Sequence, residues 1–208
     1  MKLGVVDYGG GNIRSLVKAL ESLGVPPRLL TSPDGFDTID LLIFPGQGSF
    51  GDCMEKLEAR NLVDPLRDWL HAGRPFFGIC VGYQLLFESS EESPGRAGLG
   101  VFSGKVVRFQ ESALKVPHMG WNSAKLKDPD DPAWQHLGES PFFYYVHSFY
   151  PQPEDETLVA AVTEYGEPFA AAIQRGPVVA TQFHPEKSQK AGMQLLRNFL
   201  TVHRALPA

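Results

Sequence analysis

The stretch Pro75–Gln84, PFFGICVGYQ, joins an apolar run to a segment of helical character. Pro75–Ile79 has the composition of a buried strand, and Val81–Ser89 is predicted to be helical. Cys80 lies between them in the order Gly-x-Cys-x-Gly, which is the form of a nucleophile elbow. The N-terminus of a helix carries positive partial charge and favours the thiolate form of a cysteine. The alternative is that Cys80 is a small core residue.

The same alternation of strand and helix runs through the first half of the chain. The predicted strands are Leu3–Asp7, Arg28–Thr31 and Leu41–Phe44. One predicted helix begins at Asn12 and is ended by Gly24, and two more cover 52–59 and 62–72. This rhythm predicts an α/β fold with an open, mostly parallel sheet and helices on both faces.

The second half is richer in strands, and we expect extra antiparallel strands there. The predicted strands are Lys105–Phe109, Phe142–Tyr150, Leu158–Thr163, Phe169–Gln174 and Val178–Phe183, followed by a helix over Gln189–His203. Two polar loops, at 91–100 and 127–132, are too short to separate domains. With 208 residues, the chain is expected to form one domain, 1–208.

Charge and composition exclude several classes of function. The net charge is −5 and no basic stripe is present, so we expect no nucleic-acid partner. The longest apolar runs are far shorter than the roughly 20 residues that span a bilayer, so no membrane partner is expected. The two cysteines, Cys53 and Cys80, fit a reducing compartment, and we predict a cytoplasmic protein. Neither metal-ligand spacing nor a cofactor motif occurs, which predicts no metal and no cofactor.

A base for Cys80 is suggested by His184, which follows the apolar strand Val178–Phe183. Pro185 disfavours a helical backbone at His184, and residues two apart in an extended chain project to the same side. Glu186 is therefore able to orient the imidazole, and the three residues fit a Cys–His–Glu triad. The alternative is a strand-end histidine beside a solvated glutamate.

A third motif, PGQGSFG at 45–51, directly follows the strand Leu41–Phe44. Ligands of open parallel sheets bind beyond the carboxyl ends of the strands, where a Gly-rich loop can direct N–H groups at an oxyanion. The alternatives are a plain turn or a phosphate cradle. No P-loop motif occurs, and the DYGGGN segment at 7–12 does not match a dinucleotide fingerprint.

Together these motifs resemble the class I (triad) glutamine amidotransferases. The resemblance is carried by PGQGSFG (45–51), GICVGYQLLF (78–87) and QFHPEKS (182–188), and it spans nearly the whole chain. Three further segments resemble the glutaminase subunits of imidazole glycerol phosphate synthases, which serve histidine biosynthesis: DYGGGN (7–12), KVPHMGWN (115–122) and YYVHSFY (144–150). Gln47 departs from the usual PGVG loop, and Val81 and Tyr83 replace the family's more frequent leucine and methionine.

The resemblance implies glutamine hydrolysis. Cys80 would attack the side-chain amide carbon, His184 would transfer the proton, and Glu186 would steady the imidazolium. It implies that Val81 and the Gly46–Gly48 loop donate to the oxyanion. Oxyanion and substrate contacts are thus assigned to Gly46, Gln47, Gly48, Val81, Gln84, His147, Ser148 and Phe149.

The resemblance also implies a partner, a (β/α)₈ cyclase subunit that receives the ammonia in a heterodimer. The residues matching segments that face this partner are Asn12, Trp121, Asn122, Tyr144 and Lys187. The aromatic residues among them could instead be core, and the lysine could be a solvated charge. Three rival functions remain: the glutaminase component of anthranilate synthase, a stand-alone γ-glutamyl thiol hydrolase, and a regulatory subunit without activity.

Overall fold

The computed structural model describes residues 1–10, 13–110 and 114–206. Within these residues, the strands are β1 Leu3–Val6, β2 Arg28–Leu30, β3 Leu41–Gly46, β4 Phe76–Cys80, β5 Phe87–Ser90, β6 Phe102–Arg108, β7 His118–Ser123, β8 Lys125–Leu126, β9 Phe142–His147, β10 Phe149–Pro153, β11 Val159–Tyr165, β12 Glu167–Arg175 and β13 Val178–Thr181. The α-helices of the same residues are α1 Ile13–Ser22, α2 Phe50–Ala59, α3 Val63–His71, α4 Val81–Gln84 and α5 Gln189–Val202.

An eight-stranded sheet in the order β2-β1-β3-β4-β13-β12-β11-β8 forms the centre of the fold. The five strands from β2 to β13 are parallel, and β12, β11 and β8 continue the sheet in antiparallel fashion. The connections β1-α1-β2 and β3-α2-α3-β4 advance in opposite directions along the sheet. Because such crossovers are right-handed, α1 lies on one face and α2 and α3 lie on the other. This confirms the predicted fold class.

The central position of β4 explains its uninterrupted apolar sequence. Every residue of the strand is buried, because parallel neighbours flank it and helices cover both faces of the sheet. The helix α5 packs on this strand through Phe199 and Phe77, whose rings meet edge to face at 5.2 Å between centroids. The strand is therefore a rigid support for Cys80 at its carboxyl end.

The predicted helix over Val81–Ser89 is wrong beyond its first turn. The helix α4 ends at Gln84, and β5 follows it as part of a three-stranded sheet in the order β10-β6-β5. The carbonyls of Leu85 and Leu86, which would continue the helix, instead accept N–H groups of Leu99 and Val101 at 2.7 and 2.9 Å. A distant segment thus replaces the local helical hydrogen bonds.

The predicted single strand over Phe142–Tyr150 is also wrong, because the chain changes sheet at Ser148. Before that residue β9 pairs with β7 in a two-stranded antiparallel sheet, and after it β10 pairs with β6. The strands β7 and β8 were not expected, since HMGWNS at 118–123 mixes glycine with polar residues. The other predicted elements are present with shifted bounds.

Two glycines allow the elbow to pack against the neighbouring strand. A Cβ on Gly82 would lie 2.1 Å from the carbonyl oxygen of Phe44 in β3, and one on Gly46 would lie 2.2 Å from the nitrogen of Gly82. Main-chain atoms cannot move aside like a flexible side chain. The end of β3 and the first turn of α4 therefore approach each other only because both positions lack a side chain.

We expect Gly82→Ala to lower the free energy of unfolding by about 3 kcal/mol, the upper part of the range for overpacking, because its Cβ meets main chain. Gly95→Ala is the control, since Gly95 has a φ of +82° but open space around it. That control should lose about 1 kcal/mol, the cost of a left-handed backbone for alanine. Urea denaturation measures both, and equal losses would contradict the close-approach argument.

Candidate active site

Cys80 lies on a strained turn at the carboxyl end of β4. Its φ of 54° and ψ of −110° fall in a region that residues with a side chain seldom adopt. Such strain costs about 1–3 kcal/mol and persists only where the surrounding structure imposes it. Here the imposing contacts are the pairing of Cys80 with Gly46 on β3 and the close packing of α4 described above.

His184 reaches the same edge of the sheet because β13 is the parallel neighbour of β4. Thr181 on β13 pairs with Ile79 on β4, and His184 follows three residues later. Glu186 lies in a short 3-10 turn over Pro185–Lys187. Its Oε1 is 2.9 Å from Nδ1 of His184, and both side chains are buried. The structure thus brings the three predicted triad residues together.

The pKa of His184 depends on two neighbouring side chains, Cys80 and Glu186. Burial by itself lowers the pKa of the imidazole, but the Cys80 sulfur and the Glu186 carboxylate outweigh burial and raise the pKa above its usual value. Within the described residues, Nε2 of His184 has no hydrogen-bond partner. With Nδ1 held by Glu186, this free Nε2 is the atom available to exchange a proton in the site.

The backbone of His184 is fixed by β9. Its N–H donates to the carbonyl of Tyr144 at 3.0 Å. The hydroxyl of Ser188 donates to the carbonyl of His184 at 2.6 Å and accepts the N–H of Tyr144 at 2.9 Å. Three hydrogen bonds therefore hold the candidate base to a strand that contributes other residues to the same site.

A cavity of about 200 Å³ opens over the cysteine. Its lining includes most of the predicted residues: Gln47, Gly48, Cys80, Val81, Gln84, His147, Ser148, Phe149 and His184. Gly46 does not line the cavity and instead packs beneath it against Val81 and Gly82. Glu92 and Val146 also line it and were missed by sequence reasoning. No motif or periodic spacing in the sequence pointed to Glu92, because it lies on a loop between β5 and β6.

Buried amides connect this cavity to the sulfur. Gln84 donates through Nε2 to the carbonyl of Phe149 at 2.9 Å and to Oε1 of Gln182 at 3.2 Å. Gln182 in turn donates to Sγ of Cys80 at 3.7 Å. Gln182 was not singled out from the sequence, although it begins the QFHPEKS motif. These amides orient the sulfur and the carbonyl of Phe149 relative to each other.

The backbone of Gln47 is held by a buried phenol. Its N–H donates to the hydroxyl of Tyr8 at 2.9 Å, and that hydroxyl donates to the carbonyl of Gln47 at 3.1 Å. The thiol of Cys53 donates to the same hydroxyl at 3.3 Å. Burial raises the pKa of Tyr8 and raises that of Cys53 to about 11, so both remain neutral. The loop is thereby pinned in one orientation.

The residues predicted to face a partner have different environments. Trp121 is 46% exposed and lies edge to face with the half-buried ring of Tyr144, at 6.2 Å between centroids. Met119, missed by sequence reasoning, is 62% exposed on the same strand, and its spacing of two from Trp121 was the available signal. Lys187 is half-buried. Asn122 uses its amide inside the chain, and Asn12 lies outside the described residues.

Over residues 1–10, 13–110 and 114–206, no group of three or more histidine, cysteine or acidic side chains could hold a metal ion. In the same part of the chain, no helix has the length and apolar character needed to cross a membrane.

Comparisons with known proteins identify the family. The family model described as glutamine amidotransferase class-I matches residues 4–202. Imidazole glycerol phosphate synthase subunit HisH of Synechococcus elongatus is 48% identical over 202 residues, covering 96% of this chain and 93% of that protein. HisH of Syntrophotalea carbinolica is 46% identical over 201 residues, covering 94% of this chain and 97% of that protein. A crystal structure described as a glutamine amidotransferase matches with a TM-score of 0.76 at 21% identity, covering 98% of this chain and 100% of that one, and supports the fold.

The chain therefore belongs to the class I glutamine amidotransferase family. It is a glutamine-hydrolysing enzyme. Within the family it belongs to the HisH subunits of imidazole glycerol phosphate synthase, an assembly of more than one subunit. This confirms the family and the subfamily predicted from the sequence, and it disfavours the three rival functions.

We expect Cys80→Ala and Glu186→Gln each to lower the pKa of His184. Each variant removes a side chain that raises the pKa of His184, so the ring should lose its proton at lower pH than in the unmodified chain. An NMR titration of the imidazole measures the shift. His203 is the internal control, because its pKa is lowered by burial alone and should not change. An unchanged His184 titration would show that these neighbours do not set its protonation.

Proposed function

We propose that the chain hydrolyses glutamine through Cys80, His184 and Glu186 and passes the ammonia to a cyclase subunit. The observation that carries the proposal is the meeting of a strained cysteine with a carboxylate-oriented histidine in one small cavity. A nucleophile beside an oriented base is the arrangement that covalent acyl transfer requires. The HisH relatives support the choice of glutamine as substrate.

In the proposed reaction, Nε2 of His184 takes the thiol proton of Cys80 as the sulfur attacks the side-chain amide carbon of glutamine. The C–N bond then breaks, and His184 donates the proton from Nε2 to the departing nitrogen, which leaves as ammonia. A thioester between Cys80 and the glutamyl group remains. A water molecule, deprotonated by the same imidazole, attacks the thioester and releases glutamate and the thiol. Glu186 holds Nδ1 throughout and fixes the tautomer that both steps need.

The oxyanion of each tetrahedral intermediate needs preorganised donors. We assign one to the N–H of Val81, at the start of α4, and one to the Gly46–Gly48 loop. The N–H of Gln47 is occupied by Tyr8 in this structure. If that N–H is the loop donor, the peptide must turn before it can serve, and Tyr8 opposes the turn. Losing one such donor typically costs about 3–4 kcal/mol in the transition state, so this peptide can regulate turnover.

Recognition of the amino-acid end of glutamine falls to the far side of the cavity. Gln84 and the backbone of His147, Ser148 and Phe149 offer neutral polar groups there. Glu92 adds a carboxylate, of which Oε2 accepts the N–H of Phe50 at 2.7 Å. Glu92 is half-buried, and a carboxylate at a cavity wall suits the α-ammonium group of an amino acid. We therefore add Glu92 to the substrate contacts.

The cyclase subunit is expected to cover the exposed face of β7. Free ammonia released into water would be protonated and lost as a nucleophile, so transfer favours a partner at the mouth of the site. Trp121 and Met119 provide exposed apolar surface there, and Tyr144 and Lys187 flank it. Asn12 lies outside the described residues, and its contact with the partner stays a prediction. We also propose a cytoplasmic location, which the two free cysteines support.

Cys80→Ala should abolish glutamine-dependent synthesis while the complex still uses added ammonium salt. The reason is that only the first reaction needs the thioester, whereas the cyclase consumes ammonia from either source. Coupled assays of the reconstituted complex with glutamine or with ammonium measure the two activities. Retention of glutamine hydrolysis in the purified variant would remove Cys80 from the mechanism. Loss of both activities would indicate that the two subunits no longer assemble.

Tyr8→Phe should raise glutamine hydrolysis by the chain without its partner about tenfold. The variant removes the two hydrogen bonds that the phenol makes with the N–H and the carbonyl of Gln47 in the resting loop, and each such bond contributes about 0.5–1.5 kcal/mol. Tyr145→Phe is the matched control, because its buried hydroxyl contacts Thr163, away from the loop. The rate in the complex should be nearly unchanged for both. An unchanged or lower rate for Tyr8→Phe alone would show that the phenol does not hold the loop in a resting state.

A further inference from the structure

A buried pair of histidines lies between β7 and β9, outside the triad. His118 and His147 are opposite each other in the strand register, and Nδ1 of His118 is 3.0 Å from Nε2 of His147. The ring of His118 is stacked between those of Tyr145 and Tyr165, at 4.7 and 4.0 Å between centroids. Burial lowers the pKa of His118 to about 4 and that of His147 to about 3, so both rings are neutral.

Main-chain groups at the two ends of this pair determine where each proton lies. At one end, Nδ1 of His147 is 2.9 Å from the carbonyl of Phe149, which can only accept. Nδ1 therefore carries the proton, and Nε2 of the neutral ring must accept from Nδ1 of His118. By the same rule, Nε2 of His118 is left as an acceptor.

The other end gives the same answer independently. The side-chain oxygen of Asn122 accepts the N–H of Ser123 at 2.8 Å, and its Nδ2 donates to the carbonyl of Glu164 at 2.9 Å. These two contacts fix the orientation of the amide. The second hydrogen of Nδ2 is then directed at Nε2 of His118, at 3.3 Å. Proton positions in the chain Asn122–His118–His147 are thus determined from both ends.

We propose that His118, held by Asn122, is a positioning residue for glutamine recognition. It fixes the tautomer of His147 and so the carbonyl of Phe149 and the peptide at Ser148. This rests on the proposed role of the 147–149 segment in binding the substrate. The carbonyl of Phe149 accepts from Gln84 as well as from His147, so these two pocket residues share one acceptor. The hydrogen bonds continue through Gln182 to the Cys80 sulfur.

The hydrogen-bonded chain Asn122–His118–His147, called the relay below, also connects the pocket to the proposed partner surface. His118 and Asn122 alternate along β7 with the exposed Met119 and Trp121. A partner that covers Met119 and Trp121 therefore also restrains β7, and His118 and Asn122 of the relay lie on that same strand. The exposed and the relay residues are neighbours in sequence, so no long path between distant sites is required.

Two variants of His118 separate a positioning role from simple packing. His118→Phe keeps an aromatic ring between the two tyrosines but removes the donor to His147, whereas His118→Asn keeps a donor near the Nδ1 position but loses the ring. We expect His118→Phe to raise KM for glutamine about tenfold with little change in kcat, because it weakens binding equally in the ground and transition states. His118→Asn should keep KM within about threefold of the unmodified complex. A packing role predicts the reverse order.

The assays use the full chain in its synthase complex, with Tyr165→Phe as a control that alters a stacking ring but not the relay. Gln84→Ala tests the pocket itself. If it raises KM while His118→Phe does not, the relay is overturned and the pocket assignment stands. If neither variant changes KM, the substrate role proposed for the pocket fails as well. Should His118→Phe not fold, ¹⁵N shifts of the unmodified chain decide: both rings must be neutral with the proton on Nδ1, and a proton on Nε2 of His118 overturns the proposal.

Discussion

The adjacency of two parallel strands, β4 and β13, is the constraint on which the site depends. Cys80 ends one strand and His184 follows the other, and the strands are hydrogen-bonded neighbours with Ile79 opposite Thr181. Carboxyl ends of parallel strands meet at one edge of a sheet, so residues 104 positions apart in sequence face one cavity. A different strand order would leave the same two residues on separate parts of the sheet.

The small sheet of β7 and β9 gives the active site its second support. Its strand β9 holds the backbone of His184 through Tyr144 and ends at His147, which lines the cavity over Cys80. On its strand β7, Trp121 is exposed, whereas His118 and Asn122 belong to the proposed relay. One two-stranded element thus links the candidate base, the pocket wall and the surface on which a partner is expected to bind.

Several features could be predicted from the sequence because they rest on local patterns. The elbow is visible as Cys80 between glycines at the end of an apolar strand, and Glu186 is two residues from His184 in an extended segment. The predicted helix over Val81–Ser89 was wrong beyond its first turn because the carbonyls of Leu85 and Leu86 accept the N–H groups of residues 99 and 101. That competition is non-local, and no periodicity in the helical segment could reveal it.

The sequence by itself determined the alternation of strands and helices up to Cys80, the candidate nucleophile and base, and the family, since each depends on neighbouring residues or on short motifs at fixed spacing. Tertiary structure alone decided which side chains surround them. The pinning of Gln47 by Tyr8, the approach of Glu92 to the pocket and the pairing of His118 with His147 each join separate segments. The physical reason is that buried polar groups must find partners wherever the folded chain places them, and that choice is made in space rather than along the sequence.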